Sequence, residues 1–104
     1  MDLVTEIYQL TQRFPKSEQF GLTAQVRRAS VSVASNIAEG YGRSHRGDYI
    51  HHLSIARGSL CELETQLIIA GRLKYITKAD AKNAWTLSQD LGKMLLAMLR
   101  KLAR

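Results

Sequence analysis

One segment of this chain repeats apolar residues at alternating spacings of four and three over three heptads. The repeat consists of Tyr49, Leu53, Ala56, Leu60, Leu63, Leu67 and Ala70. Such alternation places all of these side chains on one side of an α-helix, as in coiled coils and helical bundles. The segment therefore predicts a long helix at residues 44–71, with Ser44 as its N-cap. A helix of this kind gains most of its stability from other helices that cover the apolar side.

The preceding segment predicts two helices separated by the only proline. Pro15 disfavours helical geometry in the residue before it, so a first helix at residues 2–13 should end there. Ser17 can cap a second helix at residues 18–39. Gly40 is the predicted stop of that helix, because glycine adopts the left-handed conformation at the lowest cost.

The C-terminal segment predicts a fourth helix at residues 78–102. Thr77 and Asp80, which precede its apolar stripe, have the spacing of a capping box. Four amphipathic helices with connections of about three to six residues pack as antiparallel neighbours. The predicted fold is all-α: an antiparallel up-down-up-down four-helix bundle that forms a single domain over residues 1–104.

The composition limits the classes of function. The chain has 104 residues, the size of one domain, and a single cysteine, so neither an intrachain disulfide nor a multi-cysteine zinc site is possible. Its beginning does not have the pattern of a secretory signal, and no apolar run approaches the roughly 20 residues of a membrane span. We therefore expect a cytoplasmic protein with no membrane partner. The net charge of +6 favours a polyanion, such as nucleic acid, or an acidic protein as partner.

No catalytic constellation is recognisable in the sequence. His45, Asp48 and His52 share a face at the start of the third helix, but no fourth ligand is evident and solvated polar residues are the better interpretation. A di-iron bundle needs Glu-x-x-His pairs on two helices, and this chain has none. We expect no enzymatic activity, no cofactor and no metal.

Basic residues provide the candidate binding surface. Helices 2 and 4 should run in the same direction, so the loop after helix 2 and the end of helix 4 should lie at the same end of the bundle. Two adjacent arginines in helix 2 form a second group. The predicted contacts to the backbone of RNA or DNA are Arg27, Arg28, Arg43, Arg46, Lys93, Arg100, Lys101 and Arg104.

A structural role is the alternative for some of these arginines. Antiparallel packing would bring Arg27 level with Arg57, with two glutamates one to two turns further along, so that ion pairs could form between helices or subunits. Asn36 lies on the seam of helix 2, the line of inward-facing positions that contacts the neighbouring helices, where a polar side chain often fixes the register. Glu39 could pair with Arg43 or Arg46 across the loop. The predicted polar network consists of Asn36, Glu39, Arg57, Glu62 and Glu64.

The two long C-terminal helices carry more apolar residues than one seam requires. In so small a bundle no helix is central, so the additional apolar residues predict self-association. The alternative is one wide apolar face with scattered exposed residues. The residues outside the seams are Ile50, Ile55, Ile68, Ile69, Trp85, Leu87, Met94, Leu96 and Leu99.

Several sequence blocks resemble those of a known family. Phe14-Pro-Lys-Ser-Glu, Arg27-Arg28, Asn36-Ile-Ala-Glu-Gly and Ala56-Arg-Gly-Ser, in this order, resemble the four-helix bundle family of 23S rRNA intervening-sequence proteins. The resemblance spans essentially the whole chain. It implies a small bacterial protein, in some cases encoded within an insertion in ribosomal RNA genes, that assembles as a ring-shaped homo-oligomer, a pentamer.

The same family is similar to the accessory protein of diversity-generating retroelements, a basic pentameric ring that works with a reverse transcriptase and nucleic acid. The resemblance implies RNA or DNA and a nucleic-acid-processing protein as partners, and it supplies no catalytic residues. We therefore expect a non-enzymatic oligomer that binds nucleic acid. The alternative is an interaction scaffold that docks on a polymerase or reverse transcriptase without binding nucleic acid itself.

Overall fold

The computed structural model describes residues 2–103, which form four α-helices and one short 3₁₀ helix at Lys16–Glu18. No strand occurs within these residues, so the predicted all-α class is confirmed. The helices are α1 (Asp2–Thr11), α2 (Leu22–Tyr41), α3 (Arg46–Arg72) and α4 (Lys78–Leu102).

Hydrogen bonds between the helices define their directions. Ser32 and Ser59 lie 2.8 Å apart at their hydroxyl oxygens, and Asn36 lies 3.0 Å from His52. The residue later in α2 thus pairs with the residue earlier in α3, so these two helices are antiparallel. The same relation holds for α3 and α4, because the Ser88 hydroxyl donates to Glu64 and Arg46 donates to the Leu102 carbonyl.

The helix α1 completes the bundle between α2 and α4. Arg27 of α2 donates to the Thr11 hydroxyl at the end of α1. Arg13, just after α1, lies 3.6 Å from Asp80 in the first turn of α4. At the other end of α1, Asp2 and Leu3 lie beside the middle of α4, near Leu87 and Leu91. These contacts fit the predicted up-down-up-down order in a molecule of 43 × 23 × 19 Å.

The interior is filled by one apolar stripe from each helix. The predicted seam of α3 is buried from Leu53 to Ala70, and Tyr49 packs against its edge. Replacing one such leucine with alanine typically costs about 2–5 kcal/mol, because a cavity remains. The largest fully buried apolar side chains from the other helices are Leu3, Ile7, Val26, Val33 and Leu95.

The connection between α1 and α2 differs from the prediction. α1 ends at Thr11 rather than residue 13, and the predicted cap at Ser17 is wrong: α2 begins only at Leu22. Glu18 provides the cap instead, since its carboxylate accepts the Leu22 backbone N–H at 3.2 Å. The Tyr75 hydroxyl, 57 positions away in sequence, holds the same carboxylate at 2.7 Å, so tertiary structure determines this helix start.

The predicted helix stop at Gly40 is also wrong. α2 continues through Gly40 to Tyr41, and none of the described glycines has a positive φ angle. Gly40 is buried, and a β-carbon at this position would lie 3.1 Å from the ring of Tyr49. The glycine therefore allows α2 and α3 to pack closely.

The predicted N-terminal cap is wrong for α3 and correct for α4. α3 begins at Arg46 with His45 as its cap residue, so the prediction of Ser44 as N-cap is wrong. The capping box of α4 is confirmed: Thr77 N–H donates to the Asp80 carboxylate at 2.9 Å, and Asp80 N–H donates to the Thr77 hydroxyl at 3.1 Å.

Candidate nucleic-acid interface

The loop between α2 and α3 and the end of α4 form one exposed basic surface. The Arg46 guanidinium donates a hydrogen bond to the Leu102 carbonyl, which joins the two segments. Arg43 lies in the same loop, and Arg100 and Lys101 lie exposed in the last turn of α4. We call these four residues the basic end. The predicted contact Arg104 lies outside the described residues.

One acid partly neutralises the basic end. The Glu39 carboxylate accepts from Arg43 at 3.0 Å, one helical turn apart, which is one of the two pairings considered from the sequence. Both side chains are exposed, and a surface ion pair of this kind contributes only about 0–1 kcal/mol. A phosphate could therefore replace Glu39 as the partner of Arg43 at little cost.

The remaining predicted contacts lie elsewhere. Lys93 precedes the end of α4 by two and a half turns, about 13 Å along the helix axis. Arg27 reaches towards α1, where its Nε donates to the Thr11 hydroxyl at 2.8 Å and its guanidinium lies 4.7 Å from the centre of the Tyr8 ring. Arg28 is exposed on α2, about 22 Å along the axis from Arg43.

The two glutamates of α3, Glu62 and Glu64, have partners on their own chain. Glu64 accepts from the hydroxyl of the fully buried Ser88 and from the Gln89 side chain, both at 2.6 Å. Glu62 accepts from Gln66 at 3.2 Å. Arg57 lies exposed on α3. Ion pairs from the arginines to these acids between subunits stay a prediction.

Asn36 joins α2 to α3. Its amide nitrogen donates to the Ser32 carbonyl at 2.9 Å, and its oxygen lies 3.0 Å from Nδ1 of His52. This bond between the helices suits the predicted role of Asn36 in fixing the register. His52 is thus tied to α2, and no group of three or more potential metal-binding side chains occurs within residues 2–103.

The opposite end of the bundle is also basic, which was not recognised from the sequence. Its cations come from two stretches of the chain, residues 13–16 and 72–82, which the fold brings to the same end. No helix in the described part of the chain is long and apolar enough to cross a membrane. The exposed cations are Arg13, Lys16, Arg72, Lys74, Lys78 and Lys82.

Two acids at this second end are held by hydrogen bonds. The bond from Tyr75 and the backbone N–H of Leu22 together lower the pKa of Glu18 below its ordinary value. The same carboxylate raises the pKa of Tyr75, because the hydrogen bond favours the protonated phenol. The backbone N–H of Thr77 lowers the pKa of Asp80, with smaller contributions from the Thr77 hydroxyl and Arg13.

These features define a small all-helical protein with basic surfaces at both ends of a four-helix bundle. A family model described as 23S rRNA-intervening sequence protein matches residues 1–97, and the chain belongs to this family. The chain is also similar to a solved protein of unknown function from the S23 ribosomal protein family of Bacteroides thetaiotaomicron VPI-5482. The two share 25% identity over 94% of this chain and 92% of the other, with a TM-score of 0.86. Among curated proteins, none matches this chain.

Proposed function

We propose that this protein is a non-enzymatic, cytoplasmic homo-oligomer that binds the backbone of RNA or DNA through its basic end. The observation that carries the proposal is the hydrogen bond from Arg46 to the Leu102 carbonyl. It combines the cations of two distant chain segments in one exposed surface. Phosphates pair with such cations and release condensed counterions, whatever the base sequence.

The start of α3 supports the same role. Its cap residue, His45, makes no side-chain hydrogen bond to the helix, so the first backbone N–H groups have no acceptor from the cap residue, and the one acid of the first turn, Asp48, is exposed. A helix N-terminus with such N–H groups favours a bound phosphate. The aromatic surface nearby is small, because the exposed Tyr41 lies against Tyr49 at 6.0 Å between ring centres. Backbone contacts rather than base stacking should therefore dominate binding.

Self-association would extend the basic end. Apolar side chains outside the core are exposed on all four helices, including Tyr8, Val31, Ile55 and Met94. Burial of some of them between copies is favourable at about 25 cal/mol per Å². The resemblance to ring-forming relatives favours a pentamer, in which the basic ends of successive copies would form one basic ring.

A salt series tests the proposal. Binding to a labelled single-stranded RNA and to a duplex DNA is measured by fluorescence anisotropy at increasing salt. The double variant Arg100→Gln/Lys101→Gln should reduce the slope of log K against log salt by about 0.9 per lost contact on duplex DNA and about 0.7 on single strands.

The matched control is Arg13→Gln/Lys16→Gln, which removes the same charge at the opposite end. It should leave the slope close to that of the original protein. Equal losses from both double variants would mean that net charge alone governs binding. Absence of binding even at low salt would refute nucleic-acid binding and favour the scaffold that docks on a polymerase or reverse transcriptase.

A further inference from the structure

An apolar groove lies at the second basic end, between the last turns of α3 and the first turns of α4. Its volume is about 810 Å³, and its floor is formed by Leu67, Ile68, Ile76, Ala81 and Trp85. Ile68 is 49% exposed and Trp85 is 37% exposed, although both are large apolar side chains. Contiguous apolar surface of this kind typically marks an interaction site.

Cations line both sides of the groove. Arg72 lies on the α3 side, and Lys78 and Lys82, one helical turn apart, lie on the α4 side. None of the described residues that line the groove is acidic. Asp80, which lies on the same helix, is held in the capping box and beside Arg13. An occupant with an apolar centre and negative charge on both flanks would complement this surface.

The length of the groove suits a helix. The lining residues of α4 extend from Lys78 to Thr86, about 12 Å along its axis. An amphipathic helix that docks through residues i, i+4 and i+7 needs about 10 Å. We propose that this groove binds an acidic amphipathic helix of a partner protein, with its apolar face on Ile68 and Trp85.

Charge complementarity favours this occupant over a second copy of the chain. A copy carries a net charge of +6 and would bring more positive charge to the cationic sides of the groove. The segment of a second copy that could best enter the groove carries Phe20, the most exposed large apolar residue at 90%, with Glu18 as the nearby acid. The Glu18 carboxylate is already bonded to Tyr75 and to the Leu22 N–H of its own chain, so it does not complement the cations of the groove. A nucleic-acid backbone would leave the apolar floor without a partner.

Trp85 provides a direct reporter, because it is the only tryptophan of the chain. The probe is a synthetic helical peptide with leucine at positions i, i+4 and i+7 and glutamate on both flanks. Titration of the full chain should shift Trp85 emission to the blue and saturate. A peptide with lysine in place of each glutamate should produce no shift.

The chain offers a matched pair of variants for the apolar floor. Ile68→Gln should weaken peptide binding about tenfold or more, because a large apolar contact is lost. Ile69→Gln changes an adjacent residue of similar exposure, 43%, outside the groove and should leave binding unchanged. For the charges, Lys78→Glu should weaken binding and Lys16→Glu should not.

Four results would overturn the proposal. The first is the absence of a blue shift with the acidic peptide, and the second is equal effects of Ile68→Gln and Ile69→Gln. The third is a shift with decanoate or with labelled RNA but not with the peptide, which would identify a small amphiphile or nucleic acid as the occupant. The fourth is a shift on raising the protein concentration alone that Ile68→Gln abolishes, which would identify a second copy. The nucleic-acid measurement at the basic end is separate, so either proposal can fail without the other.

Discussion

Lys74 adopts a left-handed backbone conformation, with φ of 63°, directly after α3. Its N–H donates to the Gly71 carbonyl and the N–H of Tyr75 donates to the Ala70 carbonyl, both at 3.0 Å, which is the Schellman arrangement usually completed by glycine. Lys74→Gly should raise the free energy of unfolding by about 0.5–1 kcal/mol, because relief of backbone strain exceeds the entropic cost of glycine. Urea denaturation measures the change. Lys74→Ala, which loses the same charge but keeps the β-carbon, should give no such gain, and an equal gain would contradict the explanation.

The hydrogen bond between Glu18 and Tyr75 should make stability depend on pH at both extremes. The pKa of Glu18 is below its usual 4.5, so its contribution is present above that pH and is lost as the pH falls through the lowered value. The pKa of Tyr75 is above 10.0, so its contribution is present below that pH and is lost as the pH rises through the raised value. Tyr75→Phe should diminish both losses in melting curves recorded across the pH range. Tyr41→Phe is the control, and equal behaviour of the two variants would contradict this account.

Single residues also show which helix ends could be predicted from the sequence and which could not. The capping box of Thr77 and Asp80 is local, so its spacing predicted it correctly. The cap of α2 was not predictable, because Glu18 is held in place by Tyr75 from the connection between α3 and α4, 57 positions away in sequence. The conformation of Gly40 was mispredicted for the same reason: contact with Tyr49, rather than the end of a helix, accounts for the glycine.

At the scale of the helix, α3 contains a glycine that its own chain does not explain. A β-carbon at Gly58 would contact nothing within 4 Å, whereas one at Gly40 of α2 would lie 3.1 Å from Tyr49. Gly58→Ala should therefore stabilise the chain by about 1 kcal/mol, the difference in helix propensity. Gly40→Ala should gain less or lose stability, because Tyr49 must move. Urea denaturation of both variants measures the difference, and equal gains would show that the close contact at Gly40 has no energetic effect.

The four-three alternation was the most reliable guide among the elements. It predicted the buried stripe of α3 from Leu53 to Ala70, because a strict period leaves one side for the core. Periodicity does not specify polar residues that enter the core through tertiary bonds. Thr11 lies outside the predicted stripe of α1 and is almost fully buried, with its hydroxyl bonded by Arg27 of the neighbouring helix α2, whereas Ser88 lies on the three-four stripe of α4 and its burial follows from the period.

At the scale of the whole molecule, topology determined how much of the candidate site could be predicted. The basic end followed from the expectation that α2 and α4 run in the same direction, and the bond from Arg46 to Leu102 places its two parts together. The second basic end and its groove were not predicted. They depend on how the stretch at residues 13–16 meets the stretch at residues 72–82, and on the space left between α3 and α4 beside Trp85.

The whole assembly should have a mass several times the 11.7 kDa of one chain when measured by light scattering. Exposed apolar residues such as Val31, Ile55 and Met94 provide the driving force, because their burial between copies removes apolar surface from water. Ile68→Gln should leave the mass unchanged, since the groove is proposed for a different partner. A monomer at micromolar concentration would refute self-association.

The oligomer should also change the salt dependence of nucleic-acid binding. If several basic ends contact one nucleic acid, the double variant Arg100→Gln/Lys101→Gln should reduce the slope of log K against log salt by more than the loss of two contacts would. The reason is that the double variant removes two contacts from every copy that touches the nucleic acid.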